Sequence, residues 1–346
     1  MSDPRSAVLG VEHSLTDKRW EASPADDRLA LALRQRHNLS DIVARILVAR
    51  GVDIDLAASF LDPSLKTLLP DPSLLKGMDE AVERIARAII DGETIGVFGD
   101  YDVDGATSAA LLERFIHTVG GKVDIYVPDR LREGYGPNLA ALLQMKDKGA
   151  GVIITVDCGI TAFDPLAGAA EAGVDVVVVD HHAAEPQLPA AIAVINPNRL
   201  DDESGQGQLA AVGVVFLLVV ALNRCLRGRN HYAEKAEPNL LQWLDLVALG
   251  TVCDVVPLTG LNRALVSQGL KVMARRDNIG LRALSDVASI AEAPTTYHAG
   301  FILGPRVNAG GRVGEASLGA RLLTTHDADE ARDLAIRLDD WNKERR

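Results

Sequence analysis

Cysteine, aromatic residues and positive charge are all scarce in this sequence of 346 residues. The three cysteines, Cys158, Cys225 and Cys253, are widely spaced, which excludes a disulfide framework and a zinc site of the CxxC type. Aromatic residues make up only 4% of the chain, whereas Ala, Val, Leu and Gly are abundant. This composition favours helices packed closely on a parallel sheet over a β-sandwich.

Long apolar runs are also missing. The longest extends from Ala210 to Leu222, which is too short to cross a bilayer and predicts a buried core helix. The first ten residues, MSDPRSAVLG, lack the apolar centre of a signal peptide. We therefore expect a soluble, cytoplasmic protein without a membrane partner.

Acidic residues outnumber basic ones, 48 against 36, so the net charge is −12. A nucleic-acid partner usually requires a basic surface, and the net charge by itself argues against one. Net charge is a sum over the whole molecule, however, whereas a binding groove is local. Two divalent cations held by a cluster of carboxylates would also supply positive charge at the place where a phosphate binds.

Strands rich in Val and Ile alternate with helices from residue 94 onward. The first strand begins at residue 94, and further strands are predicted at 122–128, 151–157, 174–182 and 191–198. Such strands predict an α/β fold with a doubly wound, mainly parallel sheet and helices on both faces. An open sheet of this kind binds its ligands at the carboxyl ends of the strands.

The segment before the first strand is predicted to be mostly helical. We expect residues 1–77 to form a helical N-terminal region packed on the core, and residues 78–330 to form the catalytic domain. The periodicity of residues 331–346 predicts the start of an interdomain helix, with the second domain absent.

Three aspartates follow the apolar run of the first strand at alternate positions, Asp100, Asp102 and Asp104. In an extended backbone this spacing places the three carboxylates on one face, where they repel one another unless a cation lies among them. Gly105 is expected to allow a tight turn into a helix whose N-terminus faces the same place. Taken alone, the segment is equally compatible with a helix cap and solvated loop charges.

Acidic and imidazole side chains also follow the third and fourth predicted strands. Asp157 ends one strand, and Asp180, His181 and His182 end the other. Since these strand ends share one edge of the sheet, we expect the side chains to converge there. Carboxylates combined with imidazole suit Mn²⁺ or Mg²⁺, with Mn²⁺ preferred for the imidazole. Capping or core histidines are the alternative interpretation.

Four motifs resemble, in order, those of the Asp-His-His phosphoesterase superfamily: DYDVDG at 100–105, VDCG at 156–159, DHH at 180–182 and VCDVVPL at 252–258. Other segments, including REGYGPN at 132–138 and GPRVNAGGR at 304–312, are similar to the branch of bacterial single-strand-specific 5′-to-3′ exonucleases. Members that act on pyrophosphate or short oligonucleotides carry a histidine four residues before the position of Asp102. Phe98 stands there, which favours the exonuclease branch.

The resemblance implies a centre of two divalent cations, Mn²⁺ or Mg²⁺, with ligands at Asp102, Asp104, Asp157, His181 and Asp254. Asp157 and Asp254 are the expected bridges. Asp254 is assigned by the resemblance alone, because its spacing indicates an ordinary loop acid. His182 is expected to contact the scissile phosphate or to protonate the leaving oxygen. Asp100 is expected to orient a water from the outer coordination shell.

The same resemblance implies that Arg306, Asn308 and Arg312 grip the 5′ phosphate of the strand, although a surface loop with solvated arginines is the alternative. Arg130, Arg132 and Tyr135 are weaker candidates for strand contacts, since solvated loop residues are the simpler interpretation. The expected partner is single-stranded DNA with a 5′ phosphate, together with a single-strand-binding protein or a helicase.

The implied activity is metal-dependent hydrolysis of single-stranded DNA from the 5′ end to 5′-mononucleotides, in DNA repair and recombination. One alternative is a phosphodiesterase of short oligonucleotides, cyclic dinucleotides or pyrophosphate, which Phe98 disfavours. The other is a non-catalytic nucleic-acid-binding scaffold, which is disfavoured because every ligand position is filled. In the exonuclease branch a second domain follows, and we expect this sequence to be a catalytic core without it.

Overall fold

The computed structural model describes residues 7–21, 26–130, 132–313 and 315–344, and the side chains of residues 312 and 313 lie outside the described part. The chain divides into two compact units, Met1–Ser64 and Leu65–Arg346. The domain boundaries predicted at residues 77 and 330 stay predictions.

The first unit is helical in the part that the structure describes. Its elements are a 3-10 turn at Val8–Gly10 and helices Asp27–His37, Asp41–Ala49 and Ala57–Leu61. The side chain of Asp26 caps the first of these helices by accepting from two backbone N–H groups. The unit has its own small core, which includes Leu33, Ala44 and Leu47.

The second unit contains a five-stranded parallel sheet in the order β2-β1-β3-β4-β5. The strands are β1 (Thr94–Gly99), β2 (Lys122–Tyr126), β3 (Ala150–Val156), β4 (Asp175–Val179) and β5 (Ala193–Ile195). The helices and helical turns around it are Leu65–Leu68, Pro72–Leu74, Met78–Asp91, Val103–Thr118, Leu139–Asp147, Phe163–Glu171, Ala211–Gly228, Leu240–Trp243, Leu244–Cys253, Gly260–Met273, Ile279–Val287, His298–Leu303, Gly304–Val307, Gly310–Val313, Leu318–Thr324 and Ala328–Glu344.

Side chains of the sheet alternate between two separate cores. Along β3, Val152, Ile154 and Val156 belong to the larger core, whereas Ile153 belongs to the smaller one. Helices Met78–Asp91, Val103–Thr118 and Ala211–Gly228 contribute to the larger core, and helices Leu139–Asp147 and Phe163–Glu171 to the smaller one. The predicted doubly wound sheet with helices on both faces is confirmed.

Helix Ala211–Gly228 is the one helix, within the described residues, that is long and apolar enough to cross a membrane. In the structure 72% of it is buried, and all of its residues from Ala211 to Val219 are buried. Core helices of soluble proteins can be equally long and apolar. The segment therefore forms the buried core helix that its sequence predicts.

The strand order places a crevice beside the carboxyl end of β1. From β1, the chain moves to one side to form β2 and then returns to the other side to form β3. The connections on either side diverge at this point, which leaves space above the strand ends. The sequence motifs lie around this crevice.

Candidate metal centre

Three aspartates directly follow three adjacent strands. Asp100, Asp157 and Asp180 come after β1, β3 and β4, and each backbone N–H donates to the last carbonyl of the next strand, at 3.3, 3.0 and 3.0 Å. Each carboxylate is thus held at a fixed height on one edge of the sheet. All three side chains are buried.

The expectation that Asp100, Asp102 and Asp104 share one face of an extended segment is wrong. The strand ends at Gly99, and a helix begins at Val103. Asp102 is the N-cap of that helix, and its Oδ1 accepts from the backbone N–H of Gly105 at 3.0 Å. The carboxylates of Asp102 and Asp104 are therefore arranged by the first turn of a helix and not by the alternation of side chains along a strand.

Asp104 joins two elements that are distant in sequence. Its carboxylate accepts from the backbone N–H groups of Ala211 and Val212, at 2.6 and 2.9 Å, at the N-terminus of helix Ala211–Gly228. The acid therefore satisfies two of the unpaired donors of that helix. Gly250 makes this arrangement possible, because an added Cβ would lie 3.0 Å from Asp104 Oδ1 and 2.3 Å from the hydroxyl of Thr107.

Gly105 does not form the expected tight turn. It lies within helix Val103–Thr118 and is not among the glycines with a positive φ. Its role is close packing, because an added Cβ would lie 2.4 Å from the carbonyl oxygen of Asp100. The missing side chain allows the first helical turn to contact the strand end directly.

His181 is held as a neutral metal ligand would be. Its Nδ1 lies 3.1 Å from the carbonyl of Leu209, which can only accept, so Nδ1 carries the proton and Nε2 presents a lone pair. Nε2 lies 3.3 Å from Oδ1 of Asp157. Burial, with the neighbouring His182, lowers the pKa of His181 and favours the neutral ring.

His182 has the opposite character, because Asp180 holds it. Oδ1 of Asp180 accepts from His182 Nδ1 at 2.7 Å and from the backbone N–H groups of both histidines. This hydrogen bond raises the pKa of His182 although partial burial opposes it. Half of the His182 side chain is exposed. The pair presents to an incoming ligand an imidazole that holds its proton more firmly than a free histidine does.

Asp254 reaches the same place from the end of helix Leu244–Cys253, where it is the C-cap. Its Oδ2 lies 3.7 Å from Nδ1 of His181. The next residue, Val255, has a φ of 62°, and Asp157 has a φ of 61°. Left-handed backbone is costly for a β-branched residue, so Val255 carries backbone strain next to the expected ligand Asp254.

The expected ligand atoms converge in three overlapping groups, each with atoms within 4.8 Å of one another. The groups are Asp100 with Asp102 and Asp157, Asp104 with His181 and Asp254, and Asp157 with His181 and His182. Asp157 belongs to two groups, as a bridging ligand would. The bridging roles of Asp157 and Asp254, the roles of Asp100 and His182 and the complete ligand set stay predictions.

The donor atoms fit divalent cations. Among the described residues, Oδ1 of Asp100, Oδ1 of Asp157, Nε2 of His181 and Oδ2 of Asp254 are buried without a hydrogen-bond partner. A cluster of buried acceptors facing one another, with no donor between them, is unfavourable unless cations are bound. Oxygen ligands with one imidazole suit Mn²⁺ or Mg²⁺.

The close packing of buried carboxylates in this cluster raises their pKa values and so favours their protonated forms. Burial, with the charge of Asp102, raises the pKa of Asp100 to about 7, and burial with Asp102 raises that of Asp254 to about 6. Burial and neighbouring carboxylates also raise the pKa values of Asp104 and Asp157 well above the usual range. Bound cations would remove this penalty, because they favour the ionised form.

We expect the effect of Mn²⁺ on thermal stability to depend on pH. An acid whose pKa is higher in the folded state than in the unfolded state, where it is about 4, contributes stability below about pH 4. This contribution is lost as the pH rises to the folded-state pKa. For Asp100 and Asp254 this loss extends to about pH 7 and about pH 6. The contribution of these acids to the stability of the metal-free protein therefore falls between about pH 4 and pH 7.

Metal binding requires the ionised carboxylates, so the increase in melting temperature caused by Mn²⁺ should grow over the same interval. Thermal denaturation in EDTA and in excess MnCl₂ at several pH values measures both trends. The Asp100→Asn variant should show a weaker pH dependence in EDTA. An Mn²⁺-induced increase in melting temperature that is equal at about pH 5 and about pH 7 would contradict this prediction.

The GPRVNAGGR segment borders the crevice. An added Cβ at Gly311 would lie 2.8 Å from the carbonyl oxygen of Tyr101, the residue between Asp100 and Asp102. Arg306 donates to Asp339 and to the carbonyl of Ile302. Asn308 is half-buried, and the side chain of Arg312 lies outside the described residues. Their binding of a 5′ phosphate stays a prediction.

A cationic and aromatic group lies beside His182. The guanidinium of Arg130 lies 5.1 Å from the ring centre of Tyr101, and the ring of Tyr135 makes edge contacts with Tyr101 and with His182. The Tyr135 hydroxyl donates to the carbonyl of Asp157 at 3.3 Å, and its side chain is still more than half exposed. Arg132, by contrast, is a largely exposed loop residue.

Two asparagines that the sequence analysis missed support the histidine pair. Asn196 donates to the carbonyl of His182 at 2.9 Å, and Asn198 donates to the carbonyl of His181 at 2.5 Å. They lie directly after β5, at the same edge of the sheet. Their position after the fifth strand, in INPN, was the available signal.

Known proteins match this chain over the region that carries these motifs. Residues 94–251 match the DHH family, N-terminal domain. The single-stranded-DNA-specific exonuclease RecJ of Dickeya dadantii is 44% identical over 314 residues, which cover 89% of this chain and 54% of that protein. RecJ of Bacillus subtilis is 38% identical over 329 residues, which cover 94% of this chain and 40% of that protein.

Solved structures of RecJ proteins are similar to this chain in fold and in sequence. A crystal structure of exonuclease RecJ bound to manganese has a TM-score of 0.70 and 37% identity, covering 81% of this chain and 68% of the other. RecJ from Thermus thermophilus in complex with Mn²⁺ has a TM-score of 0.78 and 33% identity, covering 94% of this chain and 45% of the other. This chain spans about half the length of the curated relatives it matches.

Proposed function

The chain belongs to the DHH family and, within it, to the RecJ group, and from this premise we propose that it is a metal-dependent exonuclease acting on single-stranded DNA from the 5′ end. The observation that carries the proposal is the convergence, at one edge of the sheet, of buried carboxylate and imidazole atoms that have no hydrogen-bond partner among the described residues. A role in DNA repair and recombination belongs to the same proposal.

The residues that would hold two divalent cations are Asp102, Asp104, Asp157, His181 and Asp254. The carboxylate of Asp100 lies close enough to those of Asp102 and Asp157 to face the same cation. Mn²⁺ or Mg²⁺ held there would lower the pKa of the attacking water and would neutralise charge that develops on the phosphoryl group. The chain contributes a rigid frame, because strand ends and helix termini fix these carboxylates before any ligand arrives.

Hydrolysis adds one water to the phosphorus and breaks its bond to the 3′ oxygen of the terminal nucleotide. That oxygen must receive a proton. His182 is suited to donate it, because Asp180 raises its pKa while half of the ring stays accessible. The products are a 5′-mononucleotide and a shortened strand that again carries a 5′ phosphate.

Binding of the strand requires local positive charge in an acidic protein. Tyr135 lies next to His182 and offers a ring for stacking, and Arg130, which lies over the ring of Tyr101, offers a cation. Across the crevice, the segment around Arg306 and Asn308 adjoins Tyr101 through Gly311. We propose that the terminal phosphate binds at this second segment. A single-strand-binding protein or helicase as partner remains part of the proposal.

An end-labelled digestion tests the activity. We expect the purified chain with MnCl₂ to release 5′-mononucleotides from a 5′-phosphorylated single strand, and to leave a blunt duplex of the same sequence largely intact. Chelation by EDTA should stop the release. Equal degradation of duplex and single strand would overturn the proposal.

The same assay separates the alternatives. Faster hydrolysis of a tetranucleotide, a cyclic dinucleotide or pyrophosphate than of a long strand would favour a small-substrate phosphoesterase. Phe98 argues against that outcome, because its ring is fully buried and stacked on Tyr126, at a centroid distance of 5.5 Å, where a histidine would be needed. Binding of DNA without any cleavage would favour the scaffold.

A further inference from the structure

The last described helix, Ala328–Glu344, is tied to the segment that borders the metal centre by one buried ion pair. Nε of Arg306 donates to Oδ1 of Asp339 at 2.9 Å, and both side chains are largely buried. Nη1 of Arg306 donates to the carbonyl of Ile302 at 2.7 Å. The guanidinium is therefore held in one orientation by two contacts.

Among the described residues, Asp339 and Ile302 are the hydrogen-bond partners of the guanidinium, which leaves part of it available for a ligand. Arg carries five N–H groups, and the pair with Asp339 and Ile302 uses one on Nε and one on Nη1. The end formed by Nη2 and the second N–H of Nη1 can still donate two parallel hydrogen bonds to a phosphate. An arginine fixed in this way loses little side-chain entropy when the phosphate binds.

The segment between this ion pair and the metal centre is continuously packed. The π-helical turn His298–Leu303 contacts helix Leu244–Cys253 through the thiol of Cys253, whose Sγ lies 3.5 Å from the carbonyl of Ala299. An added Cβ at Gly304 would lie 2.3 Å from the same sulfur. Cys253 directly precedes Asp254, so the position of Arg306 is fixed relative to an expected metal ligand.

From this geometry we infer that Asp339 is a positioning residue for recognition of the 5′ phosphate: it holds Arg306 so that its free end meets the terminal phosphate of the strand. The inference rests on the proposed function and deepens it. Asp339 touches no reacting atom, and it acts only through Arg306. Lys343, whose Nζ lies 2.7 Å from Oδ2 of Asp339, steadies the carboxylate from the other side.

The test compares cleavage of 5′-phosphorylated and 5′-hydroxyl single strands by the same enzyme sample. The ratio of the two kcat/KM values does not depend on the fraction of enzyme that is folded. For Asp339→Asn we expect this ratio to fall about tenfold, which corresponds to about 1.4 kcal/mol. The loss should lie in KM for the phosphorylated strand, with kcat nearly unchanged.

Two further variants test whether Asp339 acts through Arg306. Arg306→Gln should lower the ratio at least as much, and adding Asp339→Asn to Arg306→Gln should lower it no further. Asp339→Glu, which keeps the charge, should recover part of the preference. Additive losses in the double variant would overturn the inference.

Asp175→Asn is the matched control. Asp175 pairs with Nε of the buried Arg84 at 2.6 Å, at the opposite edge of the sheet. This variant should lose stability but retain the full preference for a 5′ phosphate. An equal fall in the preference for a 5′ phosphate in Asp175→Asn would show that any loss of stability lowers this preference, and it would overturn the inference.

The remaining outcomes separate this inference from the proposed function. An unchanged ratio in Asp339→Asn, or a wild type that cleaves both strands equally, overturns the inference and leaves the exonuclease proposal intact. A wild type that cleaves neither strand with MnCl₂ overturns both.

Discussion

Replacing Asp157 by asparagine is expected to abolish cleavage of single-stranded DNA, by a factor of at least about 10³, or about 4 kcal/mol of barrier. Asp157 belongs to two of the three ligand groups, and its Oδ1 is buried without a hydrogen-bond partner among the described residues. An amide supplies one neutral oxygen where a carboxylate supplies a charged pair, so both cation positions lose affinity. Digestion with MnCl₂ and thermal denaturation with and without MnCl₂ measure the two effects.

Asparagine is the appropriate substitution at this position, because Asp157 has a φ of 61°. Asparagine tolerates left-handed backbone, whereas alanine would add strain. The metal-free variant should be at least as stable as the wild type, because burial and neighbouring carboxylates raise the pKa of Asp157 and make its charge unfavourable there. Lost activity combined with retained or increased stability is typical of a functional acid.

Asp245→Asn provides the control for this experiment. Asp245 is a buried acid whose pKa burial raises to about 6, and it lies in the first turn of helix Leu244–Cys253, at the end away from Asp254. Its replacement removes a buried charge without touching the ligand groups. We expect it to retain cleavage and the Mn²⁺-induced increase in melting temperature. If Asp157→Asn retained both as well, the metal centre would have to be placed elsewhere.

Gly105→Ala is expected to destabilise the chain by about 3 kcal/mol and to impair metal binding as well. The added Cβ would lie 2.4 Å from the carbonyl oxygen and 2.8 Å from the Cα of Asp100. These are backbone atoms and cannot rotate away as a side chain could. The clash is relieved only if the start of the helix moves away from the end of the strand. This movement separates Asp102 from Asp100. Denaturant unfolding gives the stability, and the Mn²⁺ increment in melting temperature gives the effect on binding.

Gly228→Ala is the matched control, since both glycines are helical and neither has a positive φ. An added Cβ at Gly228 meets nothing within 4 Å in the described part of the chain. Alanine has the higher helix propensity, so this change should be neutral or slightly stabilising. Similar losses in the two variants would mean that the close approach to Asp100 is not the cause.

Much of the architecture was predictable because it follows from local patterns. Apolar strands at regular intervals, separated by amphipathic segments, are compatible with a parallel sheet covered on both faces, and the observed strands begin within two residues of the predicted ones. Aspartates at strand ends could likewise be predicted to meet, because parallel strands end at one edge. The family motifs added Asp254, whose position the pattern alone could not indicate.

The conformation of individual site residues was less predictable. Alternation suggested an extended DYDVD segment, but the helix starts within it and converts Asp102 into an N-cap. The role of Asn196 depends on its contact with His182 in another segment, and the role of Gly105 depends on how closely the helix start approaches Asp100. Arg306 is similar, because its partner Asp339 lies 33 positions further along the chain.

The sequence by itself determined that this chain forms a parallel α/β sheet with acids and histidines at its carboxyl edge, since strand periodicity and residue chemistry are local properties. Only the tertiary structure decided which atoms face one another: the oxygens of Asp100, Asp157 and Asp254 that have no hydrogen-bond partner among the described residues, the two histidines with their different partners, and the arginine held by Asp339. Such pairings depend on distances between segments that the chain brings together only on folding, and a shift of about one ångström would change them.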